Sequence, residues 1–428
     1  MHIPTERFSL ENGLRVVLAE DHSVPLVALN VWYGVGSRNE VPGRTGLAHL
    51  FEHMMFQGSE HVEGTGHIAS VERVGGSVNG TTWLDRTNYY ETVPSSELEM
   101  ALWLESDRLG WYVPALTQEK LDNQRSVVKN ERRQRVDNQP YGDWDERLMM
   151  LVFPPDHPYH HPVIGSMEDL DAASLDDVRD FFLTYYAPNN AVLTLAGDFD
   201  ADQARELVRK WFGPIPRGPA IPPIPGRPDV PPRMSAEARD RVVGDVPLAR
   251  VYLAYRTAPY GQPEFYTAEV AAELLAGGKS ARLYDALVRE KRVAQSVGSF
   301  TFPTVTGAAT FVVRGNATAG GEADALEAEL LEQIDRLAVE GPTAEEMERA
   351  LTGIEARQLI TLQKLSERAD QISMLTMLFD DPDLVNTELD RYRAVTADDV
   401  HRFAREALVA SNRAVLTYLP APAAAEAA

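Results

Sequence analysis

Short apolar runs alternate along the chain with longer segments in which apolar residues recur at helical spacing. The short runs have turn-rich flanks typical of β-strands, and they lie at residues 14–18, 26–32, 191–196, 250–255, 309–313 and 414–419. Residues typical of helix N-termini precede several periodic segments, namely Ser174, Thr396 and the capping boxes Ser96-x-x-Glu99 and Thr343-x-x-Glu346. Strands that flank clusters of helices predict an α+β fold.

A proline-rich segment divides the chain near its middle. Nine prolines fall between residues 213 and 234, a density that cannot continue a helix or occupy a central strand. Single cores stop growing at about 250–300 residues. In a chain of 428 residues we therefore expect a linker at 213–235 between an N-terminal domain (1–212) and a C-terminal domain (236–420). The alanine-rich end, 421–428, is expected to be disordered.

The two halves repeat one another. Residues 176–181 read DDVRDF and residues 398–403 read DDVHRF, an offset of 222. The apolar runs AVLTL at 191–195 and AVLTY at 414–418 follow them at an offset of 223. Repetition at a nearly constant offset predicts a duplicated domain.

The amino-acid composition excludes several kinds of functional site. The absence of cysteine excludes disulfides, thiolate metal sites and a cysteine nucleophile. The 41 basic and 64 acidic residues give a formal net charge of −23, which argues against a nucleic-acid-binding surface. No apolar stretch reaches the roughly 18 residues of a membrane span, and the N-terminus shows no apolar leader. We expect a soluble protein that is cytoplasmic by default, and export to the periplasm stays open if a leader has been removed.

Residues 49–53 read HLFEH and carry the clearest chemical signal. On a helix, His49 and His53 lie four residues apart on one face, where both imidazoles can bind one Zn²⁺ ion. Glu52 can then act as general base on a water molecule activated by the metal. The pattern is the inverted form of the zinc-peptidase motif His-Glu-x-x-His.

The helix that carries this motif is expected to run from Thr45 to Gly58 and, being apolar nearly all round, to be buried. A catalytic zinc usually needs a third protein ligand. Spacing alone leaves four candidates on predicted helices of the same half, namely Glu105, Asp107, Glu119 and Glu131. Glu131 shares a helical face with the apolar Leu121 and Val128, which favours it without excluding the others.

Three longer segments carry a family resemblance. Residues 46–54 read GLAHLFEHM, residues 75–82 read GGSVNGTT and residues 127–132 read VVKNER. They resemble the zinc helix, an edge strand and the third-ligand segment of the pitrilysin/insulinase family of zinc peptidases. The resemblance spans essentially the whole chain and is strongest to the branch of shorter chains that includes mitochondrial processing peptidase.

The resemblance implies a zinc-dependent endopeptidase that hydrolyses peptides or unfolded presequences. Its fold would be two homologous α/β-roll domains, each a β-sheet with helices, that form half of a clam-like chamber. Glu131 would be the third ligand of one zinc ion per chain, and Glu52 the general base. The peptide would add as a β-strand beside Ser77, Val78, Asn79, Gly80 and Thr81.

Two positions depart from the family pattern. Gln124 replaces a glutamate seven residues before the third ligand, so it can hydrogen-bond to groups around the zinc ligands but carries no charge. In the second domain, Arg289 is followed seven residues later by Ser296, where self-sufficient members have a tyrosine that holds substrate together with the arginine. We therefore expect the zinc-bearing subunit of a heterodimer, whose homologous partner lacks zinc and supplies the Arg–Tyr pair. A self-sufficient homodimer and a non-catalytic core or assembly subunit are the alternatives.

Other positions are expected to lie outside the chemistry. His61 and His67 flank glycines in a turn-like stretch and are expected to face solvent. The offset of 222 maps the three residues of the zinc motif onto Ala271, Leu274 and Leu275, so we expect no metal site in the second domain.

Overall fold

The computed structural model describes residues 2–422, so that residues 423–428 of the predicted disordered tail lie outside the described residues. Its strands are β1 (Glu6–Ser9), β2 (Arg15–Glu20), β3 (Leu26–Tyr33), β4 (Ser77–Thr82), β5 (Thr87–Pro94), β6 (Ala191–Gly197), β7 (Ala238–Gly244), β8 (Arg250–Thr257), β9 (Ala294–Phe302), β10 (Ala309–Ala317) and β11 (Arg413–Pro420).

The α-helices surround these strands. They are α1 (Leu47–Met54), α2 (Gly66–Arg73), α3 (Leu98–Gly110), α4 (Gln118–Arg132), α5 (Trp144–Val152), α6 (Met167–Ala172), α7 (Leu175–Tyr185), α8 (Ala201–Phe212), α9 (Pro263–Ala276), α10 (Ala323–Glu340), α11 (Ala344–Gln363), α12 (Leu365–Phe379), α13 (Leu384–Arg393) and α14 (Ala397–Ala407). No helix in the described part of the chain combines the length and the hydropathy needed to cross a membrane.

The strands form two sheets with matching topology. The first sheet has the order β1-β2-β6-β3-β5-β4 and the second has the order β7-β11-β8-β10-β9. In the first sheet only β2 and β6 run parallel, and in the second only β7 and β11 do. With β1 set aside, the two sheets share both order and direction. The predicted α+β fold of two homologous domains is confirmed.

Helix caps repeat in the same way. Ser174 accepts a hydrogen bond at the start of α7, and Thr396 does so at the start of α14, each within a capping box. The capping box at Thr343 is also confirmed, since Thr343 and Glu346 exchange hydrogen bonds. The box predicted at Ser96 is wrong, because a short 3₁₀ turn covers residues 95–97 and α3 begins only at Leu98.

Each of the two compact units is assembled from three stretches of chain. Among the described residues, the first contains those up to 132 together with 161–225 and 358–388, and the second contains 133–160, 226–357 and those from 389 onward. The change of unit at 225/226 falls within the proline-rich segment, which has no helix or strand between α8 and β7. Two helices depart from the simple division into halves. In the first unit α12, from the C-terminal half, packs on β3 and β6, and in the second unit α5, from the N-terminal half, packs on β8 and β11.

An aromatic cluster anchors α1 in the core of the first unit. Phe51 is 1% exposed, and its ring centroid lies 4.2 Å from that of Tyr186, 5.3 Å from Tyr112 and 5.6 Å from Phe182. Such contacts fix the rotation of the helix about its axis, because one ring is enclosed by three others. The opposite face of α1 is therefore held in a defined direction.

Candidate metal centre

The first turn of α1 begins at a glycine. Gly46 is the N-cap and has φ +86°, a conformation that strains other residues. A Cβ atom at this position would lie 2.7 Å from the carbonyl oxygen of Ile164. The helix thus begins one residue after Gly46 and not at Thr45 as predicted, and it ends at Met54, four residues before Gly58.

The ligand side of α1 is only partly buried, which corrects the prediction of a helix buried on all sides. Leu50, Phe51 and Met54 are buried in the core, whereas the side chains of His49 and His53 are 13% and 22% exposed. The apolar side chains therefore cover one face of α1, and the side chains of His49 and His53 lie at an accessible surface.

The structure brings the two histidines together with Glu131 of α4. The Oε2 atom of Glu131 lies 3.2 Å from Nε2 of His53 and 3.8 Å from Nε2 of His49. One ligand atom of each residue lies within 4.8 Å of the other two. A tetrahedral zinc ion with bonds of about 2.1 Å separates its ligand atoms by roughly 3.4 Å. The distances and the nitrogen and oxygen donors therefore fit zinc.

The other candidates for the third ligand are placed elsewhere. Glu105 forms an ion pair with Arg108 in the core, and Asp107 accepts hydrogen bonds from Ser59 and from Nδ1 of His61. Glu119 is exposed in the first turn of α4. Of the four carboxylates that spacing left open, Glu131 is the one grouped with His49 and His53.

Glu52 has a different environment from the three grouped residues. Burial raises the pKa of its carboxyl group, while a hydrogen bond with the Thr82 side chain and the positive charge of Arg86 oppose the rise. Thr82 is the last residue of β4. The carboxylate is thereby held between the candidate ligands and the end of an edge strand.

β4 is the outermost strand of the first sheet. It pairs with β5 on one side, from Ser77 opposite Thr92 to Thr82 opposite Thr87, and no other strand of the described residues pairs with its other side. Gly80 lies over the rings of Tyr89 and Phe56, where a Cβ atom would come within 3.0 and 3.1 Å of them. The predicted substrate segment, Ser77 to Thr81, is thus an edge strand with a free backbone side.

The remaining predicted site residues occupy two different places. Gln124 is 7% exposed on α4 and precedes Glu131 by two helical turns, so both face the same side of that helix. Arg289 belongs to the second unit, where it is exposed and forms an ion pair with Asp285. Ser296, on the edge strand β9, accepts a hydrogen bond from the side chain of Asn316.

A second group of possible ligands lies in the core of the first unit. His67 is 3% exposed, contrary to the prediction that it faces solvent, and its Nε2 atom lies 3.2 Å from Glu91 and 3.9 Å from Glu105. Burial lowers the pKa of His67 to about 3 and raises that of Glu91 to about 8. Arg108 forms an ion pair with Glu105, so this cluster already contains a cation beside its carboxyl groups. It therefore fits a metal less well than the first group.

Sequence could have indicated this second cluster. In β5, the alternate residues Thr87, Tyr89, Glu91 and Val93 are all 1% exposed or less. The period of two along a strand places Glu91 on the inward face, where a carboxylate needs a partner. His61, by contrast, is exposed as predicted.

Comparison with known families and proteins agrees with this architecture. The family model described as insulinase (peptidase family M16) matches residues 15–152, and the model of the peptidase M16 inactive domain matches residues 172–354. Both groups of possible metal ligands found among the described residues belong to the first unit.

Two curated relatives are named as zinc proteases. Zinc protease PqqE of Helicobacter pylori is 30% identical over 376 residues, which are 86% of this chain and 80% of the relative. The uncharacterized zinc protease YmxG of Bacillus subtilis is 24% identical over 94% of this chain and 95% of its own.

Solved structures share the fold. The crystal structure of a protease from Helicobacter pylori is 27% identical and has a TM-score of 0.92, with coverage of 98% of this chain and 100% of that one. A peptidase M16 inactive domain from Pseudomonas fluorescens, 18% identical, has a TM-score of 0.86 over 99% of both chains and shares the fold alone. With these matches along both halves, and with a zinc protease as a relative at 30% identity, the chain belongs to the insulinase family of peptidases, family M16.

Proposed function

We propose that this protein is a zinc-dependent endopeptidase whose zinc ion is held by His49, His53 and Glu131, one ion per chain. The observation that carries the proposal is the grouping of two imidazole nitrogens and one carboxylate oxygen within 4.8 Å of one another on α1 and α4. The names of the curated relatives as zinc proteases support the same metal.

Zinc bound there supplies a Lewis acid that polarises the scissile carbonyl and lowers the pKa of a water molecule to about 7. Glu52 takes a proton from the attacking water and delivers it to the leaving amine. Its raised pKa suits this exchange, because a carboxyl group whose pKa lies nearer to the working pH can both accept and release a proton. Its contact with Thr82 keeps the carboxylate beside β4.

The substrate is a peptide or an unfolded polypeptide that adds to the free side of β4. Backbone hydrogen bonds with Ser77 to Thr81 provide affinity for extended chains of many sequences. The end of that strand carries Thr82, the partner of Glu52. A peptide bound in this register passes the candidate zinc ligands with its backbone extended. In this proposal it lies in a chamber to which the chain contributes one half.

The partner is a homologous subunit without zinc. Ser296 stands where the family resemblance calls for a tyrosine, and a serine hydroxyl lies too close to its own backbone to take the place of a phenol. The partner would supply the Arg–Tyr pair that holds the substrate backbone, whereas Arg289 remains in this chain without the tyrosine.

Metal analysis of the purified chain tests the function directly. We expect about one zinc ion per chain, removal of that zinc by a chelator, and loss of the hydrolysis of an unfolded polypeptide until zinc is restored. A chain purified without stoichiometric zinc that takes up none when zinc is added would instead be the non-catalytic core or assembly subunit.

A further inference from the structure

The N-terminus of α1 is held by a carboxylate from outside the helix. Oε2 of Glu40 accepts a hydrogen bond of 2.8 Å from the backbone N–H of Gly46, and Oε1 accepts one of 2.7 Å from Ala48. Gly46 has no side chain to cap the helix, so Glu40 serves two backbone donors that would otherwise have no acceptor within the helix. Its side chain is fully buried.

Burial of that carboxylate has a cost that its position offsets only in part. Burial raises the pKa of Glu40 to about 8, and the two backbone donors oppose the rise. Negative charge is also favoured at a helix N-terminus, where the peptide dipoles point their positive ends. Ala48, which donates to Glu40, is the residue directly before His49.

A second carboxylate holds the residue before this N-terminus. Oδ2 of Asp169 accepts hydrogen bonds from the backbone N–H of Thr45 at 2.9 Å and from its hydroxyl at 2.6 Å. The Thr45 hydroxyl also accepts from the backbone N–H of Ser166. The segment 164–173, which contains α6, is thereby joined to the start of α1.

The same segment is joined to α4, the helix of Glu131. Arg125 donates to the carbonyl oxygens of Leu170 and Ala173, and these bonds are 2.8 and 2.6 Å long. Arg132, next to Glu131, donates to the carbonyl oxygen of Gly165 at 3.1 Å. Segment 164–173 therefore contacts both helices that carry candidate zinc ligands.

We propose that Glu40 is a positioning residue for the zinc site, and that Glu40 and segment 164–173 together hold α1 and α4 in the relative position that zinc requires. This inference rests on the proposed zinc function, but Glu40 and Asp169 are neither proposed zinc ligands nor residues of β4. Their action is on the backbone that carries His49.

Zinc affinity of the full-length chain tests the inference, measured by competition with a chelating dye. Glu40→Ala removes both acceptors, and we expect the dissociation constant for zinc to rise on the order of 10-fold. Glu40→Gln keeps one acceptor oxygen and should show a smaller rise. The control is Asp200→Ala, which removes an exposed N-cap that accepts from Gln203 at 2.8 Å on α8, a helix of the same unit that carries no site residue.

Unfolding of the metal-free variants by urea is measured alongside. We expect the Asp200 variant to lose stability while it keeps the zinc affinity of the wild type. If the zinc dissociation constants of the two Glu40 variants stay within about twofold of the wild type, or if Asp200→Ala weakens zinc binding as much as Glu40→Ala, the inference is wrong.

Two further outcomes are distinguished. Should Glu40→Ala fail to fold, Asp169→Ala is the test, because it removes the one oxygen that accepts both hydrogen bonds from Thr45. We then expect a rise of about threefold in the dissociation constant for zinc, and no rise would overturn the inference. If the wild type itself binds no zinc, the proposed function fails and this inference fails with it. If the wild type binds zinc and the variants bind it equally well, only this inference is wrong and the proposed function stands.

Discussion

Glu52 and His53 are adjacent in the chain, yet their side chains meet different partners. His53 lies 3.2 Å from Glu131, whereas Glu52 is hydrogen-bonded to Thr82 at the end of β4. A carboxylate placed in this way can exchange protons without being a zinc ligand. The division of roles within a five-residue motif thus follows from where each side chain points.

Glu52→Gln is expected to abolish turnover and keep zinc. Glutamine has the size and hydrogen-bonding ability of glutamate but cannot take a proton, so kcat should fall by about 10²- to 10⁴-fold with zinc content unchanged. Hydrolysis of an unfolded polypeptide and metal analysis measure the two quantities. Glu119→Gln, the same change at an exposed position of α4, should alter neither. Turnover retained by the Glu52 variant would remove Glu52 as the base.

The sequence predicted the surroundings of some residues better than those of others. His49 and His53 could be paired because their spacing fits one turn of a helix, a local relation. Glu131 follows His53 by 78 residues, so its selection depended on family resemblance rather than on spacing. His67 was predicted wrongly, since neighbouring glycines indicated a turn while its partners, Glu91 and Glu105, come from other elements.

Helix α12 shows how an element from one half completes the other sheet. Oδ1 of Asp370 accepts hydrogen bonds from the indole N–H of Trp32 at 2.7 Å and from the side-chain amide of Asn88 at 2.7 Å. The Ser373 hydroxyl donates to Thr194 at 2.8 Å in a fully buried contact. These polar contacts, with the apolar face around Ile372, fix α12 on β3, β5 and β6.

The ion pair of Asp21 with Arg368 should contribute to this docking in a pH-dependent way. The hydrogen bond from Arg368, 2.6 Å long, is the main cause that lowers the pKa of Asp21 from 3.8 to about 2, and Ser23 adds to it. Because the folded-state pKa is the lower one, the contribution is full above about pH 4 and is lost as pH falls toward 2. Its size is about 2 kcal/mol.

Urea unfolding of Asp21→Asn measures this contribution. We expect a loss of about 2 kcal/mol at pH 7 and a difference from the wild type that narrows as pH falls below about 4. Glu367→Gln changes an exposed carboxylate on the same helix and serves as the control. A difference that stays constant from pH 7 to pH 3 would show that the ion pair is not the cause.

Element types were more predictable than element partners. Strand-like runs and the caps at Ser174 and Thr396 follow from local pattern, and both are confirmed. The exchange of α5 and α12 could not be predicted, because an amphipathic pattern says that a helix covers a sheet but not which one. The division of the chain into the sequence domains 1–212 and 236–420 stays a prediction. The two compact units of the structure have other bounds.

For the whole molecule, the central question is whether one chain suffices for catalysis. Ser296→Tyr would place a phenol seven residues after Arg289, on the edge strand β9. If the missing tyrosine limits the isolated chain, kcat/KM for an unfolded polypeptide should rise about 2- to 10-fold, the value of one added hydrogen bond. Ser299→Tyr, on the same strand, is the matched control and should not raise it.

The activity of the isolated wild-type chain also tests the heterodimer proposal. If that proposal is right, the chain binds zinc and hydrolyses peptides slowly until a homologous subunit with the Arg–Tyr pair is added. A homogeneous wild-type chain with kcat/KM in the ordinary enzyme range, about 10⁴–10⁸ M⁻¹ s⁻¹, would contradict that proposal and favour the self-sufficient homodimer.

Anomalous diffraction at the zinc edge, from crystals of the full chain grown with zinc, tests whether His49, His53 and Glu131 hold the metal. We expect one strong peak per chain, about 2.1 Å from Nε2 of His49, Nε2 of His53 and the carboxylate of Glu131. No peak at this position, or a peak whose nearest ligands are those of the buried cluster at His67, would contradict it.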